Sequence, residues 1–209
     1  ISYAFAPSTT INSGDGGISN AFYSTSQKTI HSYGSTIWYA QNICSGDHTL
    51  GFNCSDDIEY VGSASNETIN LNIQRGGSDY TGDLTIALAG GGDSINFAKL
   101  INTDSIDLGA GDDTISVMFG ADAGGYQTIQ NANISKLDGG AGTDTRSFGE
   151  SANPPATISL TTAGATSFEN LTGTTSAETL NGDANANSLT GNSGADILNG
   201  NGGNDALYA

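Results

Sequence analysis

Apolar residues recur at a fixed interval through the last forty residues of the chain. Leu171, Leu180, Leu189, Leu198 and Leu207 are each nine positions apart, and Gly173, Gly182, Gly191 and Gly200 repeat in step with them. Looser copies occur earlier. YVGSASNETI (Tyr60 to Ile69), IALAGGGDSI (Ile86 to Ile95), IDLGAGDDTI (Ile106 to Ile115) and LDGGAGTDTR (Leu137 to Arg146) each run nine residues from one anchor to the next, the last departing by closing on Arg146. Around the anchors, ETINLNI, DLTIALA, DSIDL and DTISVMF alternate apolar and polar residues and are rich in Ile and Thr, which predicts short strands. No stretch has helical spacing. The pattern therefore predicts strand, glycine turn, strand, repeated as an all-β parallel solenoid whose anchors stack inward.

Each closing anchor has a polar residue two places before it, and in most copies that residue is an acid: Glu67, Asp93, Asp113, Asp144, Glu178, Asp196 and Asp205, with Asn187 the exception. If two nonapeptides make one coil, turns on the same edge are eighteen residues apart, so Glu178 lies under Asp196 and Asn187 under Asp205. By the same argument Asp93 and Asp113 fall on successive coils. Acids stacked at about 4.8 Å repel one another unless a cation lies between them. Calcium suits such a place, because it takes six to eight oxygens, including the carbonyls that a glycine turn exposes.

Composition points the same way. The chain has 209 residues, 36% of them hydrophobic, with 30 glycines and a net charge of −17 from 22 acidic and five basic residues. Low hydrophobicity with high charge is a mark of disorder, but a regular ladder implies a built, narrow core. Five basic residues exclude a phosphate-binding face, so nucleic acid is not an expected partner. Cations are. No apolar run is long enough to span a membrane.

The segment 168–209 resembles the RTX (repeats-in-toxin) calcium-binding β-roll of proteins secreted by bacteria, whose pattern is GGxGxDxUx with U a large apolar residue. GGAGTDTR (Gly139 to Arg146) matches it up to the final position, and GNSGADIL (Gly191 to Leu198) and GNGGNDAL (Gly200 to Leu207) match with Asn in place of the second glycine. The resemblance implies Ca2+ held by Asp93, Asp113, Asp144, Asp196 and Asp205, with Glu178 in the same offset, and by turn carbonyls around Gly191, Gly194, Gly200 and Gly203. Glu178 and Asn187 depart from the pattern, so the first coil of the ladder is expected to bind calcium weakly or not at all and to start the stack. The resemblance also implies type I export of an unfolded chain that folds on meeting calcium outside the cell. The chain opens at Ile1 without methionine and closes at Ala209 without the export signal such proteins carry, so a longer natural protein, or one from which the signal was removed, is expected.

Three regions are expected: residues 1–60 as an aromatic-rich N-terminal cap or interface, 61–167 as an irregular solenoid with degenerate repeats, and 168–209 as the nonapeptide β-roll. Nine aromatic residues from Tyr3 to Tyr60 lie in the first region; they could cover the end of the stack or contact another subunit. Cys44 and Cys54 bracket a short polar loop, which in an oxidising compartment would close as a disulfide contributing roughly 2–4 kcal/mol. The alternative is two free buried thiols.

No HExxH and no GxSxG is present, so neither a zinc protease nor the usual lipase nucleophile is indicated. Asp112 and Asp113 do not read as a glycosidase pair, because neighbours on a strand point to opposite faces. No catalytic residue is assigned. The expected function is that of an extracellular, calcium-stabilised structural protein at the cell surface, a building block of a surface layer, fibre or adhesin, with calcium-triggered folding or assembly and self-association or cell-surface components as partners. The alternatives are the non-catalytic RTX part of a secreted lyase or epimerase acting on polysaccharide, and a glycan-binding adhesin module.

Overall fold

A computed structural model describes residues 57–71, 82–98, 104–118, 135–149 and 156–209 and the backbone of five strands between 11 and 39. The Cys44 and Cys54 pair lies outside the described residues.

Every strand is three to five residues long, as short alternating segments between glycine turns require. At the N-terminal end stand β1 (Ile11–Ser13), β2 (Gly16–Ile18) and β3 (Ala21–Ser24). Strand pairs then follow, one pair per coil. They are β4 (Thr29–Ser32) with β5 (Thr36–Tyr39), β6 (Ile58–Val61) with β7 (Glu67–Asn70), and β8 (Leu84–Ala87) with β9 (Ser94–Ala98). Next come β10 (Ser105–Asp107) with β11 (Thr114–Met118), β12 (Lys136–Asp138) with β13 (Thr145–Gly149), and β14 (Thr157–Ser159) with β15 (Asn170–Thr172). The stack ends in β16 (Thr179–Asn181) with β17 (Ser188–Thr190), and β18 (Ile197–Asn199) with β19 (Ala206–Tyr208).

The second strand of each coil joins one continuous sheet, ordered β1-β2-β5-β7-β9-β11-β13-β15-β17-β19. The first strands form the opposite face in two pieces, β12-β10-β8-β6-β4-β3 and β14-β16-β18. Pairing is parallel from coil to coil, while β1 with β2, β2 with β5 and β3 with β4 are antiparallel. The chain is an all-β parallel solenoid.

Between the faces lies a core of stacked columns, two of them built on the repeat anchors and others adding pairs such as Ile58 with Leu84 and Val117 with Phe148. On the continuous sheet Ile69, Ile95, Ile115, Arg146, Leu171, Leu189 and Leu207 stack in register. On the other face the columns are Tyr60, Ile86, Ile106 and Leu137, then Ile158, Leu180 and Leu198. The nine-residue ladder is thus two interleaved eighteen-residue columns, as two nonapeptides per coil require. Burial is complete along most of the stack and fades at its C-terminal coil, where Leu207 is 48% exposed.

The break in the second face falls where the repeat spacing fails. Thr166 forms a lone bridge with Asp138 at the end of β12, while β14 pairs onward with β16. A short 3-10 turn, Thr162–Gly164, lies between those two contacts.

Arg146, which breaks the sequence pattern, occupies an anchor position with 0% exposure. Its Nη1 donates to the carbonyls of Leu160 at 3.1 Å and Thr162 at 2.7 Å, and the guanidinium lies 5.0 Å from the centre of the Phe148 ring. Nε and Nη2 are buried without a hydrogen-bond partner, and burial lowers the side chain's pKa to about 10. The arginine therefore serves the carbonyls of the turn that interrupts the second face. Arg146→Ala is expected to cost about 3 kcal/mol through the cavity and the two orphaned carbonyls. Arg146→Leu refills most of the column but orphans the same two carbonyls, so it should cost less than Arg146→Ala only by the cavity part, about 1–2 kcal/mol. Urea unfolding in calcium would compare them, and equal losses would mean that the charge rather than the volume matters.

Candidate metal centre

Along one edge of the solenoid the chain passes from the first strand to the second of a coil through a glycine turn, except between β14 and β15, where the 3-10 turn takes its place. These turns span 62–67, 90–93, 109–113, 139–144, 182–187 and 200–205. Side chains alternate along a strand, so a residue two places before an inward anchor also points inward. That places Glu67, Asp93, Asp113, Asp144 and Asn187 at the margin of the core, all five buried.

The acids form a hydrogen-bonded ladder across the coils. The backbone N–H of Glu67 donates to Asp93 Oδ1 at 2.7 Å, that of Asp93 to Asp113 Oδ1 at 2.7 Å, and that of Asp113 to Asp144 Oδ1 at 2.9 Å. The N–H of Asp144 donates to Glu169 Oε2 at 2.8 Å. Further along, the N–H of Asn187 donates to Asp205 Oδ1 at 2.9 Å, and on the opposite edge that of Glu178 donates to Asp196 Oδ1 at 2.9 Å. Each carboxylate thus uses one oxygen to hold the coil before it. The sequence-derived stacking of Glu178 with Asp196, Asn187 with Asp205 and Asp93 with Asp113 is the stacking in the structure.

The second oxygen is the chemically informative one. Oδ2 of Asp93, Asp113 and Asp144 is buried and has no hydrogen-bond partner. Burial pushes the pKa of Asp93 up to about 7 and that of Asp144 to about 6, and raises that of Asp113; the neighbouring carboxylates add to each shift, against the lowering effect of the backbone hydrogen bonds. Buried oxygens that lack a donor, on carboxylates that resist ionising beside one another, are what a cation would satisfy. Among the described residues no three His, Cys, Asp or Glu side chains converge as a metal-binding group. A cation here would have to draw on one or two carboxylates together with backbone carbonyls of the glycine turns, a mixed oxygen set of the kind a hard cation accepts. These residues fit calcium, which Asp93, Asp113 and Asp144 would hold through their unpartnered Oδ2 atoms together with turn carbonyls.

Glycine is required in these turns by close approach. An ideal Cβ on Gly191 would lie 2.6 Å from Asp196 Oδ2, and one on Gly139 would lie 2.9 Å from Asp144 Oδ2, because the carboxylate folds back over the first residue of its own turn. Gly200 stands in the same relation to Asp205. A Cβ on Gly111, at φ +142°, would fall on the carbonyl oxygen of Gly91 in the coil before. Gly194 and Gly203 also have positive φ.

The asparagines that replace the second glycine have their own geometry. Asn192 and Asn201 sit at φ 72° and 67°, a region Asn enters more readily than most side chains. Their Nδ2 groups donate at 2.9 Å to the carbonyls of Gly173 and Gly182 in the preceding coil.

Among the expected ligands, Asp93, Asp113 and Asp144 share one edge in consecutive coils, joined there by Asp205, whereas Glu178 and Asp196 lie on the other edge. Glu178 is occupied within its own turn, accepting from the N–H of Thr174 at 3.2 Å and from its hydroxyl. Asn187 likewise accepts from the N–H of Asp183 at 2.7 Å. Two buried or half-buried acids were not in the expected set. Glu169 continues the first ladder beyond Asp144, and Asp104 accepts the N–H of Leu84 at 2.9 Å on the opposite edge. Both stand two residues before an anchor, Leu171 and Ile106, so the offset alone marks them. Glu67, noted for that offset, also joins the ladder. Asp112 points away from its neighbour: it is exposed where Asp113 is buried.

Residues 103–123 and 172–207 match the family model for the RTX calcium-binding nonapeptide repeat, in four copies. These segments are RTX repeats. RTX nonapeptide repeats bind calcium, and the register of the ladder brings Asp93 and Asp144, which lie outside the matched segments, into line with Asp113 inside one of them. No curated protein and no solved structure matches the chain. Among the described residues no helix is long and apolar enough to cross a membrane.

Proposed function

We propose that this protein is an extracellular, calcium-stabilised structural protein, a non-catalytic building block of a surface layer, fibre or adhesin, which reaches its site by type I export and folds there on meeting calcium. The observation that carries this reading is the carboxylate ladder, in which Asp93, Asp113 and Asp144 each leave one buried oxygen without a donor. In a chain of net charge −17, such a stack is poorly stabilised without a cation and rigid with one. Calcium is scarce in the cytoplasm and abundant outside, so the same ladder would keep the chain pliable before export and stiff after it.

A calcium titration of the chelator-stripped protein, followed by circular dichroism and light scattering together, tests the proposal. β-structure and large assemblies appearing together at millimolar calcium are the expected result. Folding without assembly would remove the building-block reading, and structure indifferent to calcium would remove both.

The C-terminal coils report separately. Replacing Asp196 and Asp205 together by Asn is expected to loosen residues 172–209 and to weaken calcium binding about tenfold, since each ligand lost from a mixed oxygen set lowers affinity. Unchanged affinity, measured calorimetrically, would remove these two acids from the binding set.

A further inference from the structure

The outward positions of the two faces differ in charge. On the continuous sheet, six successive coils present pairs flanking the buried anchor: Thr68 and Asn70, Ser94 and Asn96, Thr114 and Ser116, Thr145 and Ser147, Asn170 and Thr172, Ser188 and Thr190. All twelve are half-exposed, and none is charged. The equivalent positions on the other face include Glu59, Asp107, Lys136 and Asp138. The first members of these pairs form one column in unbroken register, about 24 Å long over five coil spacings of about 4.8 Å, and the second members run beside it with a register shift between Asn96 and Ser116.

The amides tie neighbouring coils together and hold the columns in place. Asn96 Nδ2 donates to Asn70 Oδ1 at 3.1 Å, and Asn170 Nδ2 to Thr145 Oγ1 at 3.2 Å. At the two ends of this sheet face the register opposes Tyr39 to Asn70 and Tyr208 to Thr190. Tyr208 is 59% exposed.

We infer that this face binds a neutral polysaccharide lying along the solenoid axis, across the strands. Hydroxyls and amides that both donate and accept can exchange their water for sugar hydroxyls group by group. A pyranose in an extended chain advances by a distance comparable to one coil, and its apolar ring face can stack on a terminal tyrosine. Charge selects the neutral polymer: the acid-bearing turns repel an anionic glycan, and a cationic one would be drawn to those turns and away from this face. A second copy of the face is the poorer occupant, because pairing two such surfaces would desolvate twice as many polar groups with no apolar contact in return. The inference rests on the extracellular reading above and gives that reading a partner.

The test is co-sedimentation of the calcium-folded full chain with insoluble neutral polysaccharides (cellulose, chitin, mixed-linkage β-glucan, agarose) and with an anionic one, alginate. Retention on at least one neutral polymer is expected. Ser116→Lys with Thr172→Lys should reduce it at least tenfold, while Thr85→Lys on the opposite face should leave it unchanged. Ser116→Val with Thr172→Val, which suits a strand and removes only the hydroxyls, serves if the lysine variant does not fold and should also weaken retention. Absence of retention on every neutral polymer, retention only on alginate, or retention that survives both double variants would overturn the inference. So would self-association, seen by sedimentation without glycan, that the double variants abolish. Because folding in calcium is verified first, failure here leaves the calcium-folding reading standing.

Discussion

Stripped of calcium, the protein is expected to be more stable at pH 5 than at pH 8, by about 5 °C or more in Tm, a chain of this size shifting by about 2–4 °C per kcal/mol. The cause is the buried ladder. Asp93 and Asp144 ionise in the fold at about pH 7 and about pH 6 instead of at 3.8, and Asp113 is raised as well. Between about pH 4 and pH 7 the folded chain therefore holds more protons than the unfolded one, so its stability falls as pH rises through that window. The contribution is fully present below pH 4 and gone above pH 7. Calcium reverses the slope, because it binds the ionised carboxylates and must displace their protons. With calcium at a hundred times its Kd, each site adds about 2.7 kcal/mol, and at pH 8 no proton competes for it. Thermal melts at pH 5 and pH 8, with chelator and with millimolar calcium, give four values whose expected order places calcium at pH 8 highest and chelator at pH 8 lowest. A calcium-free Tm that is flat or rising between pH 5 and pH 8 would show that the ladder does not carry the effect.

Much of this ladder is legible in the sequence because its period is an integer. Nine residues hold one turn and one short strand, so each anchor returns to the interior and each acid returns to the same offset. Leu171, Leu189 and Leu207 could be assigned to one column and Leu180 and Leu198 to the other by counting alone. Glu169 was hidden because the segment before it, 160–168, replaces the glycine turn with the 3-10 turn and the lone bridge to Asp138, so no glycine pattern points to the acid. Asp104 was hidden for a related reason: the five residues before it, KLINT, contain no glycine. The interruption of the second face could not be read at all, since whether a strand pairs backward or forward is decided by the coil that lies beside it. Arg146 reads in the sequence as the end of a failing repeat. In the structure it keeps the anchor position, because the carbonyls of Leu160 and Thr162 at the interruption need a donor that leucine lacks.

Replacing Asp93, Asp113 and Asp144 together by Asn is expected to have opposite effects with and without calcium. Each Asn retains an Oδ1 that can accept the N–H of the coil before, so the ladder's hydrogen bonds survive, while the charge that burial opposes is gone. The chain already tolerates Asn at this offset: Asn187 is buried there, with its Oδ1 accepting from the N–H of Asp183 in its own turn and its own N–H donating to Asp205. The exchange has a cost, since Nδ2 of Asn187 is buried without a partner, and a buried unpaired donor costs about 1–3 kcal/mol. At pH 5, where Asp93 and Asp144 are largely protonated, that cost dominates and the variant should be the weaker protein. At pH 8 without calcium, the three buried charges cost the parent more, and the variant should be the stabler. With calcium the order reverses again, because neutral amides hold the cation poorly and most of the calcium-induced rise in Tm is lost. This crossing separates the ladder from general acidity, for the variant still carries nineteen of its 22 acidic residues, and surface repulsion would persist. A variant that remained less stable than the parent in chelator at both pH values would mean that these carboxylates are satisfied in the fold without a cation, and the calcium ladder would have to be sought elsewhere in the chain.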